Sequence, residues 1–176
     1  MFWLKLATNF IKILREGQTP AQVAGGFALG AILGLSPMLT LQGMLVWLII
    51  LVLDVNLSAA TFSLGLFALI AYIFDPLFHR LGYFLLVDIN GLRGLWTALY
   101  NAPIAPLTRF NNTVVLGSFV CAFLFFLPIY FGMKKFVVAY RATLGVKMHK
   151  FKIYQVIDRS SLVQWYRRVR DLGGAL

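Results

Sequence analysis

A single cysteine, Cys121, leaves no partner for a disulfide within the chain. Histidine and acid are nearly as scarce, with two His and six Asp or Glu among 176 residues. The scarcity excludes much chemistry. There is no HExxH pair, no Ser-His-Asp set and no glycine-rich loop of the kind that cradles phosphate. His79 follows Asp75 by four residues, which suits one face of a helix, but a metal site or proton relay needs more ligands than two. His149 stands among basic residues. The sequence therefore predicts a protein that is not an enzyme, with no catalytic residues, no metal and no cofactor.

Polar surface is missing as well. Hydrophobic residues make up 60% of the chain, and the mean hydropathy is +0.82. A soluble domain of this length has too little interior to hide so much apolar side chain. The apolar residues fall in runs separated by short punctuation. This pattern predicts an all-α integral membrane protein, with room for one compact domain and no separate soluble module.

Three regions follow. In residues 1–17, Phe2, Trp3, Leu6, Phe10, Ile13 and Leu14 share one helical face, opposite Lys5, Lys12 and Arg15. Lys12, Arg15 and Glu16 interrupt any signal-peptide core, and no small-residue cleavage site follows. An amphipathic helix in the membrane interface is expected, basic side in the headgroups. A helix packed on the protein's own body is the alternative.

Residues 18–133 form the expected membrane domain. Gly26, Gly30 and Gly34 recur every four residues, a stripe on which another helix can approach to backbone contact. The helix over 21–35 is only roughly 22 Å long at 1.5 Å per residue, and Ser36-Pro37 then stops it. A second apolar run over 38–53, interrupted at Gln42-Gly43, makes with the first a hairpin of thin spans or a re-entrant hairpin. After Asp54-Val55-Asn56, residues 57–74 are long enough to span. Asp75-Pro76 is then read as a second break, with 77–87 continuing and carrying His79 and Arg80. Two proline breaks suggest a weak internal repeat and a shared polar pocket. Its expected members are Ser36, Pro37, Gln42, Asp75, Pro76, His79 and Arg80, with Arg80 placed to take a phosphate. Asp75 has a plainer reading too, as a helix-end residue at the interface.

Residues 90–112 are mixed and suggest a short interfacial piece around Trp96. The last span is expected over 113–132, bent at Pro128. Residues 134–176 form a basic tail, holding ten of the sixteen Lys and Arg against two Asp. The positive-inside rule puts this tail and Lys5, Lys12 and Arg15 in the cytoplasm. An even number of crossings follows: about four membrane segments, or one re-entrant hairpin plus two spans. In the tail, Ser161 to Gln164 resembles a capping box, and Leu162, Trp165, Tyr166 and Val169 lie opposite Arg167, Arg168 and Arg170. These basic residues, beside aromatic ones and a span, suit phospholipid headgroups rather than nucleic acid.

Several stretches occur together and in order: "AQVAGGFALGAILGLSPMLTLQG", "DVNLSAATFSLGLF" and "AYIFDPLFHRLGYFLL". They resemble the bacterial membrane family called domain of unknown function 2062 (DUF2062), over residues 18 to about 135. The resemblance implies a bacterial inner-membrane location and a family without an agreed activity. It carries over no catalytic residues. Two functions remain open. One is a small platform that docks a larger membrane or periplasmic protein and hands phospholipid to it. The other is a small transporter or lipid flippase built around the broken helices.

Overall fold

The computed structural model describes residues 18–148. The expected helix at 1–17, with Lys5, Lys12 and Arg15, lies outside them, as do Arg167, Arg168 and Arg170 of the tail. The described residues are helical and contain no strand. Five α-helices follow in order: α1 (Pro20–Leu35), α2 (Leu41–Val52), α3 (Leu57–Tyr83), α4 (Arg93–Tyr100) and α5 (Thr113–Met148). A π turn, Phe84–Asp88, extends α3, and short 3-10 turns at Asn90–Leu92 and Ala105–Thr108 flank α4. Of the described residues, those up to Val138 form one compact unit and those from Ala139 a second.

Local chemistry sets these ends. Thr19 caps α1 through a capping box with Gln22, and Pro20 occupies the first turn, where its missing N–H is harmless. Asn56 caps α3 by accepting from the Ala59 N–H at 2.7 Å. Asn112 caps α5 by accepting from Val114 and Val115.

Two stretches are long and apolar enough to cross a membrane, Leu57–Asp88 and Thr113–Thr143, with mean hydropathies of 2.0 and 2.4. In each, only 22% of the most apolar window is buried, so neither is the enclosed core helix of a soluble protein. Leu69, Ile73, Phe123 and Leu124 all point outward and are more than 60% exposed. An apolar coat of this kind points to association with a membrane. α1 and α2 are apolar but shorter, at 16 and 12 residues.

α1 is the innermost element. Eleven of its sixteen residues are buried, spread round the whole helix rather than along one stripe. Leu29, Ile32 and Leu33 share a core with Val46 and Ile50 of α2, Ala60 and Phe78 of α3, and Ala122 of α5. The contacts of the glycines set the register. Gly26 meets Asn56, Gly30 meets Ala60 and Gly34 meets Leu64, so α1 and α3 run parallel at a constant offset of thirty. α1 ends at Leu35, while α3 continues nineteen residues beyond Leu64, roughly 28 Å at 1.5 Å per residue.

Pro76 does not break α3. The helix runs through Asp75-Pro76 without interruption, so the second expected break is absent. The physical reason lies in the alternatives open to the backbone. A proline inside a helix forfeits one hydrogen bond, whereas leaving the helix amid apolar side chains would strand several more polar groups. α5 likewise runs through Pro128 and past Gly132 without stopping.

Candidate functional site

The turn between α1 and α2 satisfies itself. Ser36 is extended (φ −113°, ψ 154°), which ends α1, and both its N–H and its hydroxyl donate to the Ile32 carbonyl. Thr40 accepts from the Gly43 N–H while its hydroxyl donates to the Pro37 carbonyl at 2.9 Å. Ser36 and Thr40 are both buried, and their hydroxyls serve the backbone groups that the break releases. Pro37 itself is exposed.

The residues expected to share one pocket are divided. Gln42 donates from Nε2 to the Thr108 carbonyl at 2.9 Å, joining the start of α2 to the 3-10 turn before α5. His79 Nδ1 shares a 2.6 Å hydrogen bond with Thr113 Oγ1 at the start of α5. Asp75 is half-buried within α3, and Pro76 is exposed. Of the seven, His79 and Arg80 line a common depression, together with Tyr83 and Asp88. Asp75-Pro76 is helical, and the Ser36–Thr40 turn is capped by its own hydroxyls.

The glycine stripe faces α3. A methyl group at Gly26, Gly30 or Gly34 would run into the main chain of Asn56, Ala60 or Leu64 respectively. Ala59, Ala60 and Ser63 present small side chains from α3, all at most 2% exposed. Ser63 adds a hydrogen bond from its hydroxyl to the Phe27 carbonyl at 2.6 Å. At the lower end of the seat, Gln22 Nε2 donates to Asp54 at 2.6 Å, and the Asn56 N–H donates to the Gln22 carbonyl.

A second close crossing joins α3 and α5. Gly82 lies against the Thr113 main chain, and Gly117 against the Phe78 carbonyl. As the α3 position falls from 82 to 78, its α5 partner rises from 113 to 117, so these helices are antiparallel. Neither glycine carries a packing signal in the sequence, because each stands alone without a repeat. Gln22 was readable, since Thr-x-x-Gln before an apolar run is a capping signature.

The far end of α3 carries two adjoining depressions. The first, about 480 Å³, is lined by His79, Arg80, Tyr83 and Asp88. The second, about 540 Å³, shares Tyr83 and is walled mainly by Leu86, Val87, Trp96, Tyr100 and Phe110. Trp96 fixes the second wall: its indole N–H donates to the Leu85 carbonyl of the π turn at 2.9 Å, and its ring stacks on Phe110. Among the described residues no group of three or more His, Cys, Asp or Glu is placed to hold a metal ion.

Residues 5–143 match the family described as "Uncharacterized protein conserved in bacteria (DUF2062)". The chain belongs to this family. It is also 30% identical over 154 residues to an uncharacterised protein of Treponema pallidum (strain Nichols), which covers 88% of this chain and 94% of that one. No solved structure matches. The family region takes in both glycine crossings, the Ser36–Thr40 turn and the two depressions, and stops short of Arg167, Arg168 and Arg170.

Proposed function

We propose that this DUF2062 chain is a bacterial inner-membrane platform, which docks a larger membrane or periplasmic protein and hands phospholipid to it. The carrying observation is the backbone seat of α1 on α3 at Gly26, Gly30 and Gly34. Contact at three successive turns makes the hairpin and α3 one block. A carrier that alternates access rocks one half against another around a break in each. Here α3 is unbroken at Asp75-Pro76, which leaves the transporter or flippase alternative the break at Ser36-Pro37 and the Asp75, His79 and Arg80 cluster.

In this reading α1 and α2 are a re-entrant hairpin, and α3 and α5 are the two crossings. The hairpin's backbone is screened by protein on the α1 side, as irregular backbone at membrane depth requires. The Gln22–Asp54 hydrogen bond keeps both open ends of the hairpin on one side, with both termini cytoplasmic by the distribution of Lys and Arg. The depressions around Tyr83 then open on the periplasmic face.

Purification of the full chain in mild detergent tests the proposal. A large protein retained in fixed stoichiometry is the expected result. Phospholipid retained alone, with no protein partner after chemical crosslinking in intact membranes, would favour the small transporter and overturn the platform.

A further inference from the structure

The π turn after α3 has a geometric effect on Asp88. In an α-helix, residues five apart lie about 140° round from each other, at 100° per residue. The π turn bonds residue i to i+5, and the Ile89 N–H donates to the Phe84 carbonyl at 3.2 Å. That bonding returns Asp88 to the side of Tyr83 and so to the depression that His79 and Arg80 already line. Such turns interrupt α-helices rarely, and often at functional sites.

The depression thus holds one fixed cation and one fixed anion, and among the described residues Arg80 and Asp88 form no ion pair. A ligand complementary to it carries a negative and a positive group on one small frame. Tyr83 joins this charged depression to the apolar one beneath Trp96, so the full complement is an amphiphile with a zwitterionic head. We propose that the paired depressions bind an amine-bearing phospholipid of the phosphatidylethanolamine type, with phosphate on Arg80 and ammonium on Asp88. His79, oriented by Thr113 at 2.6 Å, stands beside the phosphate position, and the apolar wall of Leu86, Val87 and Phe110 takes the acyl chains. Each space is of the size that ordinary ligand sites occupy. The inference deepens the platform reading and rests on its phospholipid part.

The test uses the full chain reconstituted in vesicles of equimolar phosphatidylethanolamine and phosphatidylglycerol, then extracted in mild detergent. Retained lipid is quantified by mass spectrometry. The ethanolamine lipid should be enriched about threefold, the scale of one exposed ion pair. Asp88→Asn should bring the ratio back to one while total retained lipid is kept. Arg80→Gln should lower retention of both lipids, and Arg80→Lys should restore it. Both side chains are exposed, so these variants leave the packed crossings untouched, and an unchanged thermal midpoint verifies this. An equal ratio in the unaltered protein, or a preference that survives Asp88→Asn, overturns the assignment. Soluble phosphoethanolamine should not displace the lipid, since it has nothing for the apolar wall. Displacement would make this a site for the free headgroup compound and overturn the lipid assignment. Retention of a protein partner is read separately. Lost lipid preference with the partner kept sinks only this inference, and kept preference without a partner sinks only the platform.

Discussion

Gly30 of α1 lies against Ala60 of α3 so closely that a methyl group on Gly30 would overlap the Ala60 carbonyl oxygen. Lipid tails are as apolar as leucine, so helices in a membrane gain little from hydrophobicity when they associate and depend on close packing. A glycine that admits a neighbouring backbone is therefore a structural device here. Its removal has a specific signature: Gly30→Leu should still insert, because leucine favours the bilayer more than glycine does. Yet its thermal midpoint in detergent should fall steeply, with a loss of about 3 kcal/mol, the upper end for overpacked cores. Gly94→Leu is the control, since a Cβ added there meets no neighbouring element within 4 Å, and it should melt like the unaltered protein. Equal melting of both variants would mean that α1 does not sit on α3.

The α3–α5 crossing makes the same demand, since alanine is too large at Gly82 and Gly117 as well. Each single alanine variant should lower the thermal midpoint and disturb the His79–Thr113 hydrogen bond, which spans the same crossing. The double variant should lose less than the two single losses added together, because one separation of the helices relieves both clashes. Gly132→Ala, which has open space, should leave the midpoint alone. Strict additivity would show that the two glycines act at different contacts.

Some of this architecture is legible in the sequence, and particular residues show why the rest is not. Spacing alone makes Gly26, Gly30 and Gly34 a face, but nothing in the sequence ties residue 30 to residue 60. The stop at Ser36-Pro37 is readable because Ser36 and Thr40 carry hydroxyls that serve the released backbone. Asp75-Pro76 has the same appearance and the opposite outcome, since no such hydroxyl follows and the helix keeps its remaining bonds. The composition of Phe84–Asp88 contains no mark of a π turn, so the return of Asp88 to the side of Tyr83 has no sequence signal. His79 and Arg80 stand out as polar side chains in an apolar run, while nothing in the sequence links Tyr83 and Asp88 to them.

Pro76 supplies a direct test of the unbroken α3. If the helix passes through this position, Pro76→Ala adds back one backbone hydrogen bond and removes a ring that crowds the preceding turn. The variant should melt no lower than the unaltered protein and gain up to about 3 kcal/mol, the cost of proline in a helix interior. Circular dichroism should show no loss of helix. A clear loss of stability on this substitution would mean that the chain needs a bend at Pro76 and that α3 is not one continuous helix.

The same continuity governs how the chain would thread a membrane in the proposed topology. α3 leaves the Gln22–Asp54 end of the molecule and delivers α4 to the opposite end, where the loop after it begins at Asn101. Leu53 and Asn101 are both exposed and sit at these two ends. Single cysteines at Leu53 and Asn101 in a Cys121→Ala background should react with an impermeant maleimide from opposite faces. In intact cells with the outer membrane permeabilised, Asn101→Cys should label and Leu53→Cys should not, until the inner membrane is opened. A hairpin that is re-entrant or fully spanning gives the same result for these two positions, because α1 and α2 enter and leave together. Leu39, 86% exposed at the hairpin's tip, separates those cases. A full pair of spans would carry a cysteine there to the aqueous face and label it as fast as Asn101→Cys. A tip held part-way along α3 keeps Leu39→Cys among acyl chains, where thiolate scarcely forms and the impermeant reagent does not reach. Slow labelling at 39 beside rapid labelling at 101 is therefore the expected pattern. Labelling of both Leu53→Cys and Asn101→Cys from one face would overturn the topology altogether.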